Sequence, residues 1–282
     1  SSVSKTLEYA SDDWCIAQLA SKLKADSLAR VYQSRAENYR NVFDLQTGFM
    51  RPRLTNGNFK TQFDPLSTHG QGFIEGNAWN YSFYVPQQPL SLIALMGGEQ
   101  RFMAHLDSLF EMELPDAYFA ETEDIMREGI IGNYVHGNEP SHHIAYFYNF
   151  TAQPWKTQAT TRMILAKQYS LKAAGMGGND DCGQMSAWYL FTALGLYPFA
   201  PGSPDYQLTA PLVKDATLQL DNGQTLRIKT LHNSDKNVYI QKVSFNGQQL
   251  HKPVLSHQEL LKGGELLFEL GPKPAKKAFQ KP

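Results

Sequence analysis

Asp180 and Asp181 lie in the stretch GGNDDCGQMSAWY, residues 177–189, between a glycine pair and a helix start. At a helix N-terminus, free amides and the dipole stabilise negative charge, so both carboxyls are expected to stay ionised. An ionised carboxylate can serve as a general base or a metal ligand, and it can equally be an ordinary N-cap. Glu75 lies in GQGFIEGNAWNYSFYVP, residues 70–86, between Gly72 and Gly76 and close to Phe73, Ile74, Trp79 and Tyr81. Apolar neighbours strip solvent from a carboxyl and raise its pKa, which a proton donor requires. The plainer reading is a glutamate that favours a nearby helix dipole. In GNEPSHHIAYFYNF, residues 137–150, Pro140 suits a first helical position and leaves Asn138 and Glu139 at the mouth, where their oxygens suit calcium. His142 and His143 are adjacent, without the i, i+4 spacing of zinc ligands on a helix. They read as satisfied structural histidines or as partners for sugar hydroxyls.

An elevated Glu paired with a depressed Asp is the arrangement expected for acid/base cleavage of a glycosidic bond. Trp79, Tyr81, Tyr146, Trp155 and Trp188 offer ring faces for sugar stacking, although most such rings in a helical body belong to the core. Cys182, next to the aspartates, reads as a small buried residue rather than a nucleophile, and Cys15 and Cys182 form no metal knuckle.

The elements that must position these residues are mostly helical. Apolar residues recur at helical spacing in two patterns over residues 5–43, and further helices are expected at 78–85, 89–96, 99–111, 142–150, 156–172 and 184–195. A Gly, Asn and Pro rich loop spans about 47–72. After YPFAPGSPDY, short alternating runs separated by DNG and NG turns read as antiparallel strands. The expectation is a mainly α body over 1–204, followed by a small antiparallel β region over 205–282. With 42% hydrophobic and 12% aromatic residues, the chain can bury a large core. A net charge of -1 without basic runs argues against a nucleic acid partner, and no apolar stretch approaches the roughly 20 residues of a membrane span.

The blocks GFIEGNAWNYSFYVP, GNEPSHHIAYFYNF, QPWKTQ and GGNDDCGQMSAWYLFTALGLYPFAPGSPDY, across about residues 70–206, resemble the glycoside hydrolase family 92 exo-acting α-mannosidases. That resemblance implies calcium-dependent hydrolysis of terminal α-mannosides of glycans with inversion at the anomeric carbon. It makes Glu75 the general acid and Asp181 the base, with Asp180 in support. It places Ca2+ on Asn138 and Glu139, with Asp181 as a further ligand, and His142, His143, Asn77, Trp79 and Trp155 against the substrate. It also implies part or all of an (α/α)6 helical toroid, an N-terminal β-sandwich domain beyond this chain as partner, and a secreted or periplasmic setting. A non-catalytic carbohydrate-binding fragment is the alternative. A different helical-ring glucosidase or lyase would need another account of GNEPSHH.

Overall fold

The computed structural model describes residues 1–119 and 129–279. By their contacts the residues form two compact units, one comprising 1–144 with 200–202, the other 145–199 with 203–282. This division marks where contacts thin; the boundary expected near 204 marks where helix gives way to strand.

In the first unit, α1 (Ser2–Lys22) buries Val3, Leu7, Ala10, Ala17 and Ala20, a stripe at helical spacing. It packs beside α2 (Asp26–Arg35), whose Arg35 reaches the buried Asp13 at 2.9 Å. The second helical pattern stops there rather than at Phe43. Residues Asn38–Val42 tighten into a 3-10 turn, and the chain enters a hairpin of β1 (Phe43–Asp44) and β2 (Phe49–Met50). The loop that follows leads to α3 (Ala78–Tyr81), α4 (Pro89–Leu95) and α5 (Glu99–Glu111). α3 is a single turn, shorter than the expected 78–85, because the chain turns toward Val85 and Pro86, a pair that disfavours helix. After α6 (Asp116–Phe119), a hairpin of β3 (Ile130–Ile131) and β4 (Tyr134–Val135) turns through Gly132 and Asn133.

The expected helix at 142–150 is instead 3-10 backbone over Glu139–Ser141 and Ile144–Phe150. Residues 144–148 are buried on all sides, so no amphipathic stripe imposes an α period.

In the second unit, α7 (Trp155–Gln168) ends earlier than the expected 172. Tyr169 is extended and pairs with Met176, and Ser170 N–H donates to Gly175 O at 2.7 Å, which folds 169–176 into a tight turn. α8 (Gln184–Leu194) is ended by the left-handed Gly195. β5 (Leu196–Pro198), β6 (Asp205–Leu208) and β11 (Val254–Ser256) form a three-stranded antiparallel sheet in the order β11-β6-β5. The larger sheet contains β7 (Asp215–Gln219), β8 (Thr225–Leu231), β9 (Tyr239–Phe245), β10 (Gln248–Gln249) and β12 (Gly264–Gly271), in the order β10-β9-β12-β8-β7. The expectation of a purely antiparallel region needs correcting, because β12 runs parallel to β8. Hairpin turns join only neighbours in sequence, whereas β12 inserts between β8 and β9 after the intervening β11 and α9 (His257–Leu260). Leu226 and Ile228 of β8 meet Leu266, Phe268 and Leu270 of β12 in one buried core, by the alternation that marked these strands in the sequence.

Candidate active site

The loop bearing Glu75 is fixed to the first turn of α1. Gly72 O accepts from Val3 N–H at 2.9 Å and Ser4 N–H at 3.4 Å, satisfying amides that a helix start leaves unpaired. Ser4 Oγ in turn accepts from Ile74 N–H at 3.0 Å. Gly72, at φ +88, has no room for a side chain: a Cβ there would stand 2.8 Å from Pro52 Cγ and 2.9 Å from Val3 Cγ2. Gly76, at φ +60, completes the turn.

Glu75 is exposed in this chain, and Ile74 is 64% exposed. The expectation of a carboxyl enclosed by apolar neighbours is therefore corrected. The two left-handed glycines turn residues 74 and 75 outward, while Phe73 alone folds back, stacked on Tyr81 at 5.6 Å. Polar neighbours hold the carboxyl instead. With its nitrogen toward Glu75, the Asn138 amide donates to both carboxylate oxygens, at 3.2 and 3.3 Å. The Tyr81 hydroxyl lies 3.5 Å from Glu75 Oε1 and donates to Glu8 Oε1 at 3.0 Å. Tyr81 is fully buried, and that burial raises its phenol far above the ordinary range, so the proton stays on.

Asn77 caps α3. Its Oδ1 accepts from Trp79 N–H and Asn80 N–H, while Asn80 Oδ1 accepts from Asn77 N–H in a reciprocal box. The Asn77 amide nitrogen donates to Leu66 O at 3.1 Å and to Asn133 Oδ1 at 3.2 Å, so the β3–β4 turn is tied to α3 through buried asparagines. Trp79 is partly buried, with its ring against His105 at 4.3 Å and Phe49 at 5.0 Å.

His142 and His143 are buried. Their Nε2–H groups donate to His136 O and Phe83 O, each at 2.8 Å. Because a carbonyl only accepts, the proton is on Nε2 in both rings. Burial lowers His143 to about 4, against a smaller upward pull from Phe83 O. Asn138 is buried and Glu139 half-buried beside these rings. Both supply the hard oxygens that calcium prefers, yet among the described residues no group of three or more His, Cys, Asp or Glu side chains stands ready to hold a metal ion.

Asp180, Asp181 and Trp155 belong to the second unit. The two aspartates differ in what they do locally. The N-cap of α8 is Gly183; Asp180 Oδ1 accepts from Ser186 N–H at 2.9 Å and Asp180 O from Gly183 N–H and Met185 N–H, so Asp180 takes up amides of the first turn. Asp181 (φ 45), Cys182 (φ 59) and Gly183 (φ 95) are consecutive left-handed residues, and the Asp181 side chain is exposed. Cys182 is exposed too, correcting the expectation of a buried thiol. Trp155 opens α7 half-buried.

Three rings expected among the possible stacking faces are core residues. Tyr81 and Tyr146 are 0% exposed and Trp188 is 1% exposed, with Tyr146 stacked on Tyr197 and Trp188 on Tyr169. A cavity of about 830 Å³ in the second unit has Leu165, Leu171, Met176, Leu190, Leu212 and Val238 among its lining residues. Arg162, Ser170, Lys172, Ser186 and Asp235 add polar and charged groups to that lining.

Glu8, Asn80 and Asn133 are polar residues around Glu75 and α3 that sequence reasoning did not assign, and Tyr81 was assigned only for its ring. Their partners lie 73, 53, 56 and 6 positions away, and only the short Tyr81 to Glu75 interval was visible locally.

Residues 1–272 match the model of the glycosyl hydrolase family 92 catalytic domain. A family GH92 alpha-mannosidase from Bacteroides thetaiotaomicron superposes with a TM-score of 0.91 at 38% identity, over 99% of this chain and 36% of that one. Its complex with mannoimidazole gives a TM-score of 0.92 at 40% identity, over 99% and 37%. A family GH92 inverting mannosidase from the same organism gives 0.87 at 37% identity, over 99% and 38%. An uncharacterized secreted glycosidase of Arthroderma benhamiae is 27% identical over 96% of this chain and 36% of its own length. The chain thus spans little more than a third of the relatives it matches.

Proposed function

The chain belongs to glycosyl hydrolase family 92, and we propose that it carries the acid and the base of an inverting exo-α-mannosidase acting on terminal α-mannosides of glycans. The observation that supports this most directly is the placement of Glu75, exposed on a loop hinged by glycines and tied to α1, with the Asn138 amide within hydrogen-bond reach of both carboxylate oxygens. A carboxyl kept in one orientation by fixed neighbours suits proton donation to a leaving oxygen. In this reading Glu75 protonates the glycosidic oxygen. Asp181 takes a proton from the attacking water, and Asp180 holds the turn that presents Asp181. Inversion requires the two carboxyls to be roughly 6.5 to 9.5 Å apart, with the water between them.

Trp79 and Trp155, both partly exposed, are given the sugar-facing roles. Asn77, His142 and His143 are proposed to meet sugar hydroxyls in addition to making their bonds to Asn133 and to backbone carbonyls. Calcium dependence is part of the proposal: the oxygens of Asn138, Glu139 and Asp181 would hold the ion, which would bind sugar hydroxyls. The proposal extends to a longer protein in which a toroid of helices is completed and an N-terminal β-sandwich contributes to the sugar site, in a secreted or periplasmic setting. Among the described residues, no helix is long and apolar enough to cross a membrane. The share of the relatives' length that is covered favours a second reading for the chain on its own, sugar binding without turnover.

The test is mannose release from an α-linked mannobiose by the longest natural form of the protein, with and without a chelator. Glu75→Gln should lower the rate by about 10² to 10⁴, and the first anomer released should be β. A Glu75→Gln rate equal to that of the parent would remove the acid assignment, and α-mannose as first product would remove the inverting one.

A further inference from the structure

The Tyr81 hydroxyl has one proton and two carboxylates within reach. Glu8 Oε1, at 3.0 Å, is at ordinary hydrogen-bond distance, whereas Glu75 Oε1, at 3.5 Å, is at the outer limit. Tyr81 cannot move to improve the longer contact: its ring is fully buried and stacked on Phe73. Glu8 sits one helical turn after Ser4 on α1, and Ser4 Oγ holds Ile74 N–H while Ser4 N–H and Val3 N–H hold Gly72 O. The first two turns of α1 therefore grip the Glu75 loop at three points, twice through backbone and once through a side-chain relay.

We propose that Tyr81 and Glu8 are positioning residues for the acid: Glu8 fixes the Tyr81 hydroxyl, which is thereby held where it can donate to Oε1 of Glu75 once that carboxyl has ionised. This rests on the reading of Glu75 as the general acid. The arrangement has a chemical reason. An exposed glutamate has three rotatable bonds, and without fixed neighbours its carboxyl would spend little time in the one orientation useful for proton transfer. Asn138 reaches both oxygens from one direction. Tyr81 stands at the outer limit of reach of Oε1, with its proton on Glu8 until Glu75 ionises. The phenol also has a use during the reaction. When Glu75 has given up its proton, the Tyr81 O–H can rotate from Glu8 toward the new carboxylate, a contact stronger after proton transfer than before it.

Leaving-group dependence tests this. A glycoside with a poor leaving group, such as an α-linked mannobiose, needs the acid, whereas 2,4-dinitrophenyl α-mannoside departs with little protonation. In the longest natural form of the protein, Tyr81→Phe keeps the buried ring and removes the oxygen. Its kcat on mannobiose should fall about 10-fold or more, several times further than its kcat on the dinitrophenyl glycoside, with KM changed less than kcat. Glu8→Leu should follow the same pattern, and Glu8→Gln, which keeps an acceptor for the hydroxyl, should recover most of the loss. Equal losses on both substrates, or none, would overturn the proposal. Glu75→Ala is run beside them. If Glu75→Ala itself shows no leaving-group dependence, the acid reading falls and this inference with it; if it does and Tyr81→Phe does not, only the positioning role is lost.

Discussion

Asn77 illustrates how a residue chosen for function can be held by structure. Its side chain caps α3, donates to Leu66 O and joins Asn133 across 56 positions, all at 3% exposure. Asn77→Ala would uncap the turn and leave buried acceptors without their donor, so unfolding free energy should drop by about 2 to 4 kcal/mol. Urea denaturation measures this, and an unchanged midpoint would show that the asparagine cluster is not structural. The helix start at 78 was legible in the sequence, but Asn77 was assigned to the substrate and not to the cap it forms. The link to Asn133 was not legible, because nothing local records which buried amide meets which.

At the level of elements, the loop 70–77 is held in place by α1, and Gly72 is where the two come closest. Gly72→Ala would meet Pro52 and Val3 at 2.8 and 2.9 Å in addition to adopting an unfavourable φ of +88. Gly57→Ala has a similar φ of +85 with nothing within 4 Å, so it isolates the backbone cost. Gly57→Ala should cost about 1 kcal/mol, and Gly72→Ala about 1 to 3 kcal/mol more from crowding. Thermal melting of the two variants compares them, and equal shifts would mean that the loop moves off α1 freely. The periodicity of α1, α5 and the strands β8 and β12 could be read directly, since each buries one face. The ends of elements could not. Helix 156–172 stopped at Gln168 because Tyr169 found a partner in Met176, and 142–150 tightened to 3-10 because its aromatics are buried all round.

At the level of the whole molecule, buried imidazoles tie stability to pH. Burial holds His105 and His143 at about 4, below the 6.5 of an unperturbed histidine. Between these values the unfolded chain binds protons that the folded chain declines, so stability rises with pH from 4 to 6.5, levels above that, and is lost on acidification. Each ring contributes at most roughly 3 kcal/mol to this slope. His105 lies among Phe49, Trp79 and Phe83, and its Nε2 makes no hydrogen bond among the described residues. His105→Phe should therefore keep the packing and flatten part of the slope between pH 4.5 and 7.5 in urea titrations. A slope unchanged by that substitution would show that His105 is not among the titrating groups.

The sequence alone determined the residue chemistry, the helical stripes, the alternation of the strands and, through four long blocks in order, the family. These are properties of neighbours along the chain, which helix and strand periods expose. Tertiary structure decided that β12 lies parallel to β8, that Glu75 is turned outward beside Asn138 and Tyr81, and that the side chain of Asp180, not that of Asp181, takes a first-turn amide of α8. The first two join residues distant along the chain, where the partner is selected by packing and by the need of each buried polar group for a hydrogen bond. The third turned on the left-handed run at 181–183, which follows from the backbone path and not from residue type.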